Sequence, residues 1–163
     1  MKLKAGILAL ALSPLCSAQV DDVPIPLIVN IVAASEACPT LWPDAIDIAV
    51  SEISQSGNSL EVLQEDDVKG LAPKTEVVTL NLVDNDQQGQ CQTIVEAGHS
   101  IRGEIIAADG LLIAYLGDTA SSYNVVAFEA FDVPAAGSYL VVELERFRNL
   151  VQARRATNRP IGN

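Results

Sequence analysis

The 163-residue chain has one histidine, three cysteines and ten cationic side chains against twenty-one acidic ones. Each shortage narrows the possibilities. A formal net charge of −11 provides no basic face for nucleic acid, and acidity of this kind mainly serves solubility. With His99 as the sole histidine and no close cysteine spacing, a metal site lacks its usual ligand sets. A nucleophilic serine would lack a partner base other than His99, and the G-x-S-x-G elbow is missing. There is no C-x-x-C pair for redox work. No apolar run after residue 18 suggests a membrane segment.

What is present begins with a leader. Lys2 and Lys4 precede the apolar residues 5–12, and Cys16-Ser17-Ala18 ends in small residues. This is the layout of a secretory signal peptide over residues 1–18, cut after Ala18. A lipoprotein reading of Cys16 has Leu15 against it, where a small residue is expected. Removing the two leader lysines takes the net charge from −11 to −13. Five of the eight remaining cations, Arg146, Arg148, Arg154, Arg155 and Arg159, fall in the last eighteen residues, so residues 140–163 read as an atypical, basic helical tail. Cys38 and Cys91 survive cleavage. In an oxidising compartment they are most simply a disulfide, closing a loop of about fifty residues worth on the order of 3–4 kcal/mol in chain-entropy terms.

Hydrophobic periodicity then orders the elements. Residues 26–34, PLIVNIVAA, read as a buried strand. Trp42, Ile46, Ala49, Val50 and Ile53 share one helical face, so a helix is expected over 41–56, with Pro43 in its first turn and Gly57 as its stop. Leu60, Val62 and Leu63 fit a short strand or a packed loop. Residues 75–83, TEVVTLNLV, are a strand that runs into turn chemistry at 84–89. A helix is expected over 91–100, a strand over 110–116, and a second helix over 121–131 capped by Asp118 or Thr119. A strand would begin at 133–139, and a last helix follow to Arg155, with Glu145 and Arg148 paired. The alternation predicts an α/β fold, a parallel sheet with helices on both faces. Ligands in such sheets bind at the strands' carboxyl ends, here 35–42, 84–90 and 117–122.

Four stretches carry a resemblance: AIDIAVSEIS (45–54), VVTLNLVDND (77–86), Cys91, and ADGLLIAYLGDTASSYNVVAFEAFDVPAAGSY (108–139). Together they resemble the receptor family ligand-binding region, the periplasmic-binding-protein-like type I fold of natriuretic-peptide, GABA-B and metabotropic glutamate receptors. The resemblance implies a partial first lobe over 25–139 that binds a small molecule such as an amino acid, without catalysis or cofactor. It places the anion-gripping turn at Ser121, Ser122 and Thr119, with Gly137 and Ser138 as further contacts, and it supports the pairing of Cys38 with Cys91. A full-length relative would be a membrane-anchored, class C-like receptor ectodomain that could dimerise. The chain itself would be secreted. Residues from 140 on match nothing in that family, and the expectation is a truncated product. Two alternatives stand beside it. One is a small secreted metal-dependent transferase or hydrolase using Asp84 and Asp86, whose spacing after a strand could hold a divalent cation. The other is a bacterial transport-binding protein of the same fold. A stand-alone secreted α/β domain is the third reading.

Overall fold

A computed structural model describes residues 23–32, 41–56, 59–87, 90–108, 110, 112–127 and 132–157. The leader, Cys38 and the turn at 35–40 lie outside these residues. The elements run β1 (Ile25–Val32), α1 (Trp42–Gln55), β2 (Leu60–Gln64), a 3-10 turn (Glu65–Gly70), β3 (Glu76–Gln87), β4 (Gln90–Ile106), β5 (Leu112–Ala127) and α2 (Val133–Thr157). They build one five-stranded sheet in the order β2-β1-β3-β4-β5. β1 is parallel to both β2 and β3, whereas β3, β4 and β5 form an antiparallel meander. The fold is α/β with a mixed sheet and two helices.

The expected strands at β1 and β3 and the helix at α1 are present. β1 is central, and its apolar residues serve both faces: Leu27 and Val29 join the main core, and Ile28 joins the smaller cluster on the opposite face. This is why it reads as a continuous apolar run. In α1, Trp42, Ala45, Ile46, Ala49 and Ile53 are buried, the three-to-four spacing of one helical face.

Three elements differ from expectation. Residues 91–100 are strand, not helix, because Thr93, Val95, Ala97 and His99 all turn inward on a period of two. Residues 121–127 continue β5 instead of opening a helix. Ser121, Tyr123 and Val125 alternate there with Ser122, Asn124 and Val126, and Val126 reaches the core. Residues 133–139 are the start of α2, not a strand. Asp132 accepts the Ala135 N–H through its side chain at 2.9 Å, an N-terminal cap followed by Pro134 in the first turn, where its missing N–H costs nothing.

Both helices pack on one face of the sheet, so the expected cover on both faces is also corrected. Leu140, Leu144, Phe147 and Val151 of α2 join α1 and the inward residues of β3 and β4 in one core. The stretch from 140 that resembles no receptor segment is thus the body of α2. The helices approach closely at Gly137, where an added Cβ would meet Ile48 Cγ2 at 2.8 Å. Arg148 is buried at their crossing and donates to Ser56 Oγ at 2.8 Å, at the carboxyl end of α1. There its charge complements the helix dipole. The expected Glu145–Arg148 pair forms at 3.5 Å. Among the described residues, the other face of the sheet is covered only by the 3-10 turn, where Val68 packs with Ile28 and Val77.

Candidate functional site

β4 outruns the rest of the sheet. Its pairing with β3 ends at Ile101, and two backbone bonds tie Arg102 to the start of β3: Lys74 N–H to Arg102 O at 2.8 Å, and Arg102 N–H to Thr75 O at 2.9 Å. Beyond that point Gly103, Glu104, Ile105 and Ile106 pair only with Tyr115, Ala114, Ile113 and Leu112 of β5. The result is a two-stranded ribbon about 13 Å long that leaves the body of the fold.

The ribbon is apolar, and its large side chains are exposed. Ile105 is 54% exposed, Ile106 74%, Leu112 56%, Ile113 44% and Tyr115 43%. Side chains alternate along a strand, so the pair Ile106 and Leu112 lies on one face and the pair Ile105 and Ile113 on the other. Gly110, with φ of 83°, turns the chain between the strands in a conformation glycine adopts without strain. At the ribbon's base the Tyr115 ring lies against Gly103, so closely that a Cβ there would collide with the ring. An aromatic ring covering a glycine on the neighbouring strand pins the register.

Beside the base lies an open groove of about 550 Å³, lined among others by Pro73, Lys74, Arg102, Glu104, Tyr115 and Asp118. Arg102 is buried, donates through Nε to Val68 O at 3.3 Å, and forms an ion pair with Glu104. Asp118 accepts a 2.6 Å bond from Ser100 Oγ. Arg102 and Glu104 thus engage each other, and Asp118 is held by a serine.

The register between β4 and β5 shifts at this point. His99 faces Ala120 and Ser100 faces Asp118, which leaves Thr119 as the extra residue of a β-bulge. Its hydroxyl lies 2.9 Å from His99 O and also against His99 Nδ1. His99 is fully buried. Burial pushes its pKa below the ordinary histidine value, Glu76 opposes this, and Arg154 adds to it. A depressed folded pKa means that the unfolded state takes up the proton first as pH falls. His99 then contributes stability fully present above about pH 6.5 and lost as pH falls from there towards the folded pKa. Urea midpoints at pH 7.5 and 5.0 check this: His99→Gln is expected to flatten part of the wild-type decline, and an unchanged decline would contradict the assignment.

The sequence-predicted site does not assemble. Thr119, Ser121 and Ser122 lie within β5, not in a turn before a helix, so no helix N-terminus stands behind them. Ser121 and Ser122 point to opposite faces. Ser122 Oγ donates to Glu143 Oε2 of α2 at 2.8 Å. Gly137 and Ser138 belong to α2, and Gly137 is occupied by the helix contact. Asp84 is buried and accepts Thr93 Oγ1 at 2.6 Å and Trp42 Nε1 at 3.3 Å, a structural network and not an open cation site. Asp86 follows two residues later in β3, opposite Cys91. Among the described residues no group of three or more His, Cys, Asp or Glu side chains is placed to hold a metal. Cys91 is disulfide-bonded; Cys38, its expected partner, lies outside the described residues. A disulfide fits a location outside the cytoplasm.

Hydrophobic periodicity does not reveal the ribbon, but turn chemistry does. Asp109-Gly110 between the apolar runs 105–106 and 111–113 is a strong short-range hairpin signature.

No known protein family and no curated protein matches the chain. Among solved structures, a PelC variant dodecamer from Paraburkholderia phytofirmans is similar at a TM-score of 0.40 and 12% identity, over 77% of this chain and 90% of that one. Lipoprotein GNA1162 from Neisseria meningitidis is similar at 0.31 and 13%, over 77% and 99%. A putative neuraminyllactose-binding hemagglutinin homolog from Helicobacter pylori follows at 0.26 and 10%, over 80% and 84%. None of these values assigns a function to this chain. The topology overturns the resemblance to the periplasmic-binding-protein-like type I fold. Its lobe needs a parallel sheet covered on both faces, whereas here three of the five strands form an antiparallel meander and both helices share one face. The receptor reading, its amino-acid ligand and its class C-like membrane receptor setting fall with it.

Proposed function

We propose that this chain is a non-catalytic interaction protein working outside the cytoplasm, with the β4–β5 ribbon as its contact surface. One observation carries the reading: five large apolar side chains clustered on one ribbon, exposed by 43–74%. Isolated exposed apolar residues are ordinary, but a contiguous set marks a contact surface. A two-stranded ribbon is also marginal by itself and gains from whatever covers it. The disulfide at Cys91 and the signal-like leader support export. The buried His99 and the locked Asp84 support a role without catalysis.

If the ribbon serves contact and not folding, its tip should tolerate charge. Ile106→Lys/Leu112→Lys is expected to keep the wild-type circular dichroism and a Tm within about 2 °C, as surface substitutions do. A fall of more than about 8 °C would make these side chains part of the folding core and remove the reading.

A further inference from the structure

We infer that the ribbon's partner is a second copy of this chain, joined edge to edge through the Leu112–Leu116 segment of β5. The inference rests on the ribbon being a contact surface and names what covers it.

β5 is an edge strand of 16 residues, and such a row of unpaired N–H and C=O groups invites another strand. Proteins protect edges with lysine, proline or shortness. β2, the opposite edge, is protected in this way: it has only 5 residues and carries Glu61. β5 has no lysine, arginine or proline, and its one charged residue is Asp118. On a chain of net charge −11, two copies can approach only across a nearly uncharged surface, and this strand provides one.

The residues also complement themselves. In an antiparallel pair centred on Ala114, Leu112 faces Leu116 of the partner subunit and Ile113 faces Tyr115 of the partner subunit. Both faces of the edge are then flanked by apolar side chains. The bulge at Thr119 limits the match to the ribbon, because it breaks the alternation beyond that point. A lipid surface would also cover both faces. It would, however, leave the edge N–H and C=O groups unpaired in hydrocarbon, which bilayers do not tolerate; an added strand pairs them. Five such side chains, roughly half exposed, present on the order of 500 Å² per copy, against about 800 Å² per partner in a standard interface. The dimer should therefore be weak and dependent on concentration.

Facing residues of an antiparallel pair lie about 4.5–5.5 Å apart at Cα, within the roughly 4.4–6.8 Å a disulfide spans. In the full mature chain, Ala114→Cys should give a covalent dimer on mild oxidation, and Ala120→Cys, beyond the bulge, should not. Sedimentation velocity of the unmodified chain should show a reversible monomer–dimer equilibrium. A monomer at every concentration up to about 0.1 mM, or equal cross-linking from position 120, would overturn the inference. If the chain stays monomeric while a photoreactive residue at position 106 captures another protein, the second copy is wrong and the contact surface stands. Capture of nothing at 106 together with a monomer would remove both.

Discussion

Trp42→Ala is expected to destabilise the fold by about 4–5 kcal/mol, close to the whole stability of a typical small domain. The indole is 2% exposed, among the large fully buried side chains between α1 and the sheet, so its loss opens a cavity at the helix's first turn. The same change removes a donor from a closed network. Trp42 Nε1 donates to Thr93 Oγ1 at 3.0 Å and to Asp84 Oδ1 at 3.3 Å, and Thr93 Oγ1 donates to Asp84 Oδ1 at 2.6 Å. Asp84→Ala should cost about 2–3 kcal/mol by a different route, because it leaves two buried donors without this acceptor. Adding Thr93→Val to Asp84→Ala should then cost less than the sum of the two single changes, because it removes one orphaned donor. Urea unfolding of the four variants tests this. Additive losses, or a cost for Asp84→Ala below about 0.5 kcal/mol, would show that the network does not hold α1 to the sheet.

This network also shows why Asp84 was open to a catalytic reading in the sequence. Asp84-Asn85-Asp86 after a strand has the composition of a turn or a cation site. The structure instead continues β3 through these residues, which places Asp84 on the core side of the sheet. An aspartate in that position needs donors, and Thr93 and Trp42, 9 and 42 residues away along the chain, reach it only through strand pairing and helix packing that a linear reading does not show.

Where a strand or helix announces itself by apolar period, the reading succeeded: the runs at β1 and β3 and the face of α1 are unambiguous. β4 hid its period because its inward row is Thr93, Val95, Ala97 and His99, while Ile94 lies on the outer row. An inward row containing a threonine and a histidine does not read as apolar alternation. The stretch 117–122 misled for a related reason. Gly, Asp, Thr and Ser favour helix caps, but glycines, small side chains and hydroxyls also accommodate a bulge such as the one at Thr119. A helix after 121 completes a strand–helix alternation and so suggests a parallel α/β sheet, whereas β5 runs on through these residues. The Asp109-Gly110 signature pointed the other way, towards a hairpin, and tertiary structure agrees with that local signal.

The contact role of the ribbon has its most direct test in a photoreactive amino acid placed at Ile106, with Asp47 on the exposed side of α1 as the comparison site. Both positions face solvent, so chance encounters should label them equally. The chain, irradiated in its producing organism, is predicted to give a discrete cross-linked species from position 106 and only background from 47. Equal labelling from the two positions, or none from 106, would contradict the claim that the ribbon is where this protein makes contact.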